Sequence, residues 1–155
     1  MRAEAGFEIP GTCQVQINSG AASTVKTLDY SYDYNTYLSL RDVAMLLNGT
    51  DKSFSLEITG NAISMNLGNA YTPVGVENIS WEDSENPDIS LRRNEFKVNE
   101  KKVFYYTMIM KLPSGDYDCF MMAADLAMIL DMNITVSGSG GLQINTKEPF
   151  DISPV

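Results

Sequence analysis

Ser23-Thr24-Val25-Lys26 matches the S-x-x-K pattern, in which a serine nucleophile faces a lysine across one helical turn. Acyl transfer on that pattern also needs S-D-N and K-T-G companions, and the chain contains neither. Residues 24–28 alternate apolar and polar as a strand does, which sets Ser23 and Lys26 on opposite faces. Asp29, Asp33, Asp42, Asp116, Asp118 and Asp125 could supply the paired carboxylates of a glycosidase, which stand about 5 Å or about 6.5–9.5 Å apart. Asp42 and Asp125, however, open two similar helical stretches, so a capping role is expected of both. Glu82-Asp83-Ser84-Glu85-Asn86-Pro87-Asp88 is rich in carboxylates but lacks the Asp-x-Asp-x-Asp-Gly spacing of a calcium loop, and reads as a solvated connector. Tyr30, Tyr32 and Tyr34 recur at period two and would present one face of a strand, suited to stacking on sugar rings or packing on a partner. They are the candidate ligand-binding residues; the competing reading is that their rings cover the short helix. Tyr37 is expected in the core.

The composition removes other chemistry. Zero histidine eliminates the commonest general base and the commonest transition-metal ligand. Cys13 and Cys119 stand 106 positions apart, so no C-x-x-C spacing exists, and both are expected to be unpaired, half-buried strand residues. The nine methionines, among them Met108, Met110, Met121, Met122, Met128 and Met132, suit adaptable core packing rather than a soft-metal site. No catalytic residue, metal or cofactor is expected, and the chain is not expected to be an enzyme.

The elements that position these residues belong to a chain of 155 residues, 44% hydrophobic, with 20 acidic and 11 basic side chains and a net charge of −9. That is enough for one core or two small fused ones, and too apolar for a disordered chain. An isoelectric point near 4.3 opposes nucleic-acid binding, and no apolar run approaches the roughly 20 residues of a membrane helix. Met1 to Gly6 carries no apolar signal-peptide core, so an export signal would lie outside this sequence.

Shifted by 83 positions, the sequence overlays itself. Tyr37-Leu38-Ser39-Leu40-Arg41-Asp42-Val43-Ala44-Met45-Leu46-Leu47 falls on Phe120-Met121-Met122-Ala123-Ala124-Asp125-Leu126-Ala127-Met128-Ile129-Leu130, with Asp, Ala, Met and Leu repeated identically at four positions. Upstream, Val15 falls on Val98, Thr24 on Thr107 and Asp33-Tyr34 on Asp116-Tyr117. After a short deletion, Ile63-Ser64-Met65 meets Leu142-Gln143-Ile144, and Tyr71 meets Phe150. The expected organisation is a first repeat over 8–76, an acidic linker over 77–94, a second repeat over 95–150 and a tail over 151–155.

Each repeat reads as a hairpin, a strand, a short helix and a second hairpin. Cys13 to Ile17 and Thr24 to Leu28 alternate around an Asn18-Ser19-Gly20 turn. Tyr37 to Leu40 is a strand that leads into a helix over Asp42–Leu47, capped by Ser39 and ended by Asn48-Gly49. Phe54 to Ile58 and Ala62 to Leu67 flank a Gly60-Asn61 turn. In the second repeat Phe96 to Val98, a β-branched and aromatic run from Val103 to Met110, and Ile134 to Val136 with Leu142 to Asn145 are the strands. The second helix, Ala124 to Leu130, is apolar nearly all round and is expected to be the deeper of the two. The fold class predicted is α+β: two repeats, each a small twisted antiparallel sheet on one short helix.

The run Tyr37 to Leu47, with the following hairpin and Ala70-Tyr71-Thr72-Pro73-Val74-Gly75, resembles the stalk domain named for the N-terminal domain of copper amine oxidases, found in exported proteins of Gram-positive, often clostridial, bacteria. The resemblance covers about 13–75 well and about 96–150 more loosely, because Ala124 stands where the first repeat has Arg41. It implies a non-catalytic extracellular or cell-wall module, whose partner is a neighbouring domain of a longer polypeptide, such as a penicillin-binding-type serine hydrolase, or a cell-wall component. The alternative is a carbohydrate-binding module that uses the tyrosines.

Overall fold

The structure, a computed structural model, describes residues 8–30, 35–81, 91–92, 94–112, 114–136 and 141–150. The alternating stretches form β1 (Glu8–Ile17) and β2 (Ser23–Tyr30), joined through residues 18–22, where Asn18 (φ 51°) and Ser19 (φ 64°) are both left-handed and the Gly20 amide donates to the Ile17 carbonyl at 2.9 Å, as in a type I′ turn. β3 (Asn35–Ser39) runs into α1 (Leu40–Leu47), and β4 (Phe54–Ile58) and β5 (Ala62–Leu67) make the next hairpin. There follow β6 (Leu91–Arg92), β7 (Glu95–Val98), β8 (Lys101–Val103), β9 (Thr107–Lys111) and β10 (Tyr117–Met122). α2 (Ala123–Leu130), β11 (Asn133–Val136) and β12 (Leu142–Asn145) complete the elements of the described residues. Two sheets with two short helices make an α+β fold.

An eight-stranded sheet has the order β11-β12-β1-β2-β3-β10-β9-β6, and a four-stranded sheet the order β4-β5-β7-β8. Each sheet therefore draws strands from both of the stretches that overlay in sequence, where the sequence reading gave each repeat a sheet of its own. Nor is the pairing purely antiparallel: β12 lies parallel to β1, and β5 parallel to β7. The central join is β3 against β10, antiparallel, with Leu38 opposite Met121. Those two residues fall on each other in the 83-position shift. At the outer joins Val15 pairs with Leu142, whereas Val98 pairs with Met65. The second register is slipped by two residues relative to the first, which keeps every side chain on its face.

Period-two alternation divides the large sheet's side chains between two clusters. Val15, Val25, Leu38, Cys119 and Met121 join Val43 and Leu47 of α1, Leu126 of α2 and Phe54, Ile63 and Phe96 of the smaller sheet in the main core. Leu28, Tyr37, Met108, Met110 and Phe120 form a second cluster, which Val76 and Trp81 cover. Trp81 stacks on Phe120, with centroids 5.9 Å apart and planes at 13°, and its Nε1 donates to the Gly11 carbonyl at 2.8 Å. Glu77 to Trp81, at the start of the expected linker, is thus packed against the fold, while the acidic run 82–88 lies outside the described residues. Tyr37 is fully buried, as expected.

Three local expectations are corrected. α1, not α2, is the deeper helix: six of its residues are buried, against Leu126, Ala127 and Leu130 in α2, where Met128 is 48% exposed. An apolar circumference cannot bury itself without neighbours on every side, and α2 meets the core on one side only. The run from Val103 to Met110 breaks at 104–106, where the chain leaves the small sheet for the large one. There Tyr105 turns inward, edge-on to Phe96, and Phe104 and Tyr106 turn outward. The cysteines are both free, but only Cys13 is half-buried; Cys119 is buried, which pushes its thiol well up.

Candidate functional site

The helix opening Ser39-Leu40-Arg41-Asp42 sits at the centre of a closed polar belt. Ser39 is the N-cap and accepts from the Asp42 amide at 3.1 Å. Asp42 does not complete the cap. Its Oδ2 accepts from the Lys26 amide at 2.8 Å, and its Oδ1 from Lys26 Nζ at 3.3 Å and the Asn78 amide at 3.0 Å. Lys26 is buried, and also donates to the carbonyls of Val76 and Ile79 at 3.1 and 3.0 Å. Asn78, held in the left-handed region, returns its side-chain amide to the Thr24 carbonyl at 2.9 Å. In the second stretch Met122 precedes α2 and provides no side-chain cap, so Asp125, in the first turn as expected, faces the helix N-terminus without a capping partner like Ser39.

Arg41 extends the belt to β10. Its Nε donates to the Tyr117 carbonyl at 2.6 Å and its Nη1 to the Tyr71 hydroxyl at 3.1 Å. Tyr71 in turn donates to Glu77 Oε2 at 2.5 Å, and the amides of Val74 and Gly75 donate to the same carboxylate at 2.7 and 2.9 Å. Burial works against the Glu77 charge, but these bonds outweigh it and hold its carboxyl below the usual range. Burial, with the Glu77 carboxylate, pushes the Tyr71 hydroxyl up strongly. Asp118 on β10 accepts from Ser39 Oγ at 2.5 Å and from the amides of Arg41 and Cys119 at 3.2 and 2.7 Å. It is fully enclosed; burial and the nearby Asp42 charge push it up to about 6. Such a value would suit a general acid, but at 1% exposure the group is closed to any substrate. The belt ties β2, β3, β10 and the 71–81 segment together.

The Tyr71→Phe variant tests this. Removing the hydroxyl leaves an Arg41 donor buried without an acceptor, so the variant should lose about 1–3 kcal/mol in urea denaturation with an unchanged slope. A loss within experimental error would show the belt to be dispensable.

The other sequence candidates are scattered. Asp29 is exposed and accepts from Thr36 Oγ1 at 2.7 Å, at the edge of a recess of about 390 Å³ that also includes Cys13, Leu38 and Leu142. Burial, then Asp29 and Asp42, push the Cys13 thiol up, so it is no activated nucleophile. Asp116 accepts from Ser114 within a turn, and Asp125 is half-buried in the first turn of α2, its pKa raised by burial. Ser23 opens β2, three residues from a lysine engaged with Asp42. Tyr30 ends β2; its side chain, Tyr32, Tyr34 and Asp33 lie outside the described residues. Among the described residues, no three of His, Cys, Asp and Glu gather as a metal site would require, and no helix is long and apolar enough to cross a membrane. Sequence reasoning missed Lys26, Asn78, Glu77 and Asp118 as belt members, since each meets its partners through tertiary contact. Only Glu77 carried a local signal, an acceptor two residues after a left-handed glycine, Gly75. Comparison with family models, curated proteins and solved structures gave no match.

Proposed function

We propose that this chain is a non-catalytic spacer or interaction module of the stalk type, built from two copies of one unit and working outside the cell beside an envelope protein such as a penicillin-binding-type serine hydrolase. The observation that carries the reading is the use made of Arg41 and Asp42. These two residues anchor the family resemblance, and both are buried and bonded to internal partners. A motif so placed serves to fix one part of a fold to another. The duplication is supported by the direct pairing of Leu38 with Met121 and by the shared second cluster of Tyr37 and Phe120, which occupy matching positions in the two copies.

The intact chain, offered peptidoglycan fragments, β-lactam reporters and simple glycosides, should turn over none of them. Turnover that survives purification and disappears in a Ser23→Ala or Asp29→Asn variant would replace this reading with an enzymatic one.

A further inference from the structure

We propose that the open end of the β7–β8 hairpin is a binding site for a neutral glycan. This goes beyond the spacer reading and does not rest on it. A recess of about 300 Å³, at the small end of ligand pockets, is lined there by Asn94, Glu95, Phe96, Lys102, Val103 and Phe104. Asn94 is only 7% exposed. Its Nδ2 donates to Thr107 Oγ1 at 2.7 Å and to the Thr107 carbonyl at 3.3 Å. A carbonyl can only accept, so Thr107 dictates which way the amide faces. Asn94 Oδ1 is thereby left as a buried acceptor with no partner among the described residues. Buried polar groups are rarely left so, and this one calls for an O–H or N–H donor brought into the recess.

The second feature is Phe104, 78% exposed and the most exposed of the large hydrophobic side chains described. Extended backbone sends alternate side chains to opposite sides, so the inward Tyr105 obliges Phe104 to stand out beside the recess. An open ring face next to a hydrogen-bond acceptor suits a sugar, which has an apolar C–H face and hydroxyl donors at its rim. The rim of the recess holds one ammonium, Lys102, and one carboxylate, Glu95, each able to bond hydroxyls without favouring either sign of charge. A net charge of −9 disfavours an anionic ligand. An added peptide strand fits less well. β8 ends its sheet but has only three residues, two of them exposed lysines, as guarded edges do.

The test is an amide-resolved NMR titration of the intact chain with chitotriose and cellotriose. Saturable shifts are expected at residues 94–96 and 102–104 with at least one sugar. Phe104→Ala, which removes an exposed ring and leaves the rest of the spectrum in place, should weaken binding about tenfold, and Phe104→Trp should preserve it. No saturable shift with either sugar, shifts centred elsewhere, or equal affinity in Phe104→Ala would each overturn the proposal. So would an extended peptide that shifts residues 101–103 where the sugars do not.

Discussion

Asp42→Ala should destabilise the protein by about 3–5 kcal/mol, whereas Asp125→Ala, at the matching position of the second stretch, should cost less than about 1 kcal/mol. The asymmetry comes from partners. Truncating Asp42 abandons the Lys26 ammonium, the Lys26 amide and the Asn78 amide together, in a place that water does not reach. Breaking a buried pair from one side leaves an uncompensated charge, and that residual charge is the larger part of the cost. Asp125 is only half-buried, and burial raises its pKa, so its charge is disfavoured in the folded chain rather than held there. Urea titration of both variants, monitored at the single tryptophan, checks this, since Trp81 packs on Phe120 and reports the covered face of the large sheet. Equal losses at the two positions would mean that Asp42 does not hold the belt together.

A second large effect is expected with pH. The carboxyl of Asp118 is raised from 3.8 to about 6 in the folded chain, chiefly by burial. In the window between these values the unfolded chain has released the proton that the folded chain keeps, so stability falls as pH rises from roughly 4 to 6 and levels off above. For this one group the swing is about 3 kcal/mol. Glu77, held below its ordinary range, acts in the opposite sense, and its contribution is lost as pH falls through its lowered pKa. The difference between the parent and Asp118→Asn therefore isolates the Asp118 contribution. Its stability relative to the variant should decline across that window in denaturant titrations at stepped pH. Parallel curves would show that folding leaves the Asp118 pKa where it lies in the unfolded chain.

Local structure was legible in the residues; long-range structure was not. The Asn18-Ser19 turn, the Ser39 cap and the hairpin from Phe54 to Leu67 follow from propensity and periodicity over a few positions, and they appear where expected. The parallel joins of β1 with β12 and of β5 with β7 unite segments far apart in sequence, and nothing local to either strand specifies its partner. The same holds for the belt. Lys26 sits in an alternating strand, and its partners Val76 and Ile79 come from the 71–81 segment, some fifty residues on. The break at Phe104 to Tyr106 carries no glycine or proline, so an unbroken strand was the natural reading; the reason for the break is the passage between sheets. The open acceptor of Asn94 is invisible in sequence, because it is defined by the one partner its amide already has.

The parallel join of β1 and β12 has a mechanical consequence. A tension applied at Glu8 and Asn145 would draw the two strands along their length in opposite directions. The three register pairs from Val15–Leu142 to Ile17–Ile144 would then be loaded in shear, all at once instead of one after another as in unzipping. Just past the strand ends, Asn18 donates its amide to the Ile144 carbonyl at 2.8 Å and exchanges two further bonds with Thr146 at 2.9 Å. In a chain pulled at those two points, the resistance would lie at the seam joining β1 to β12.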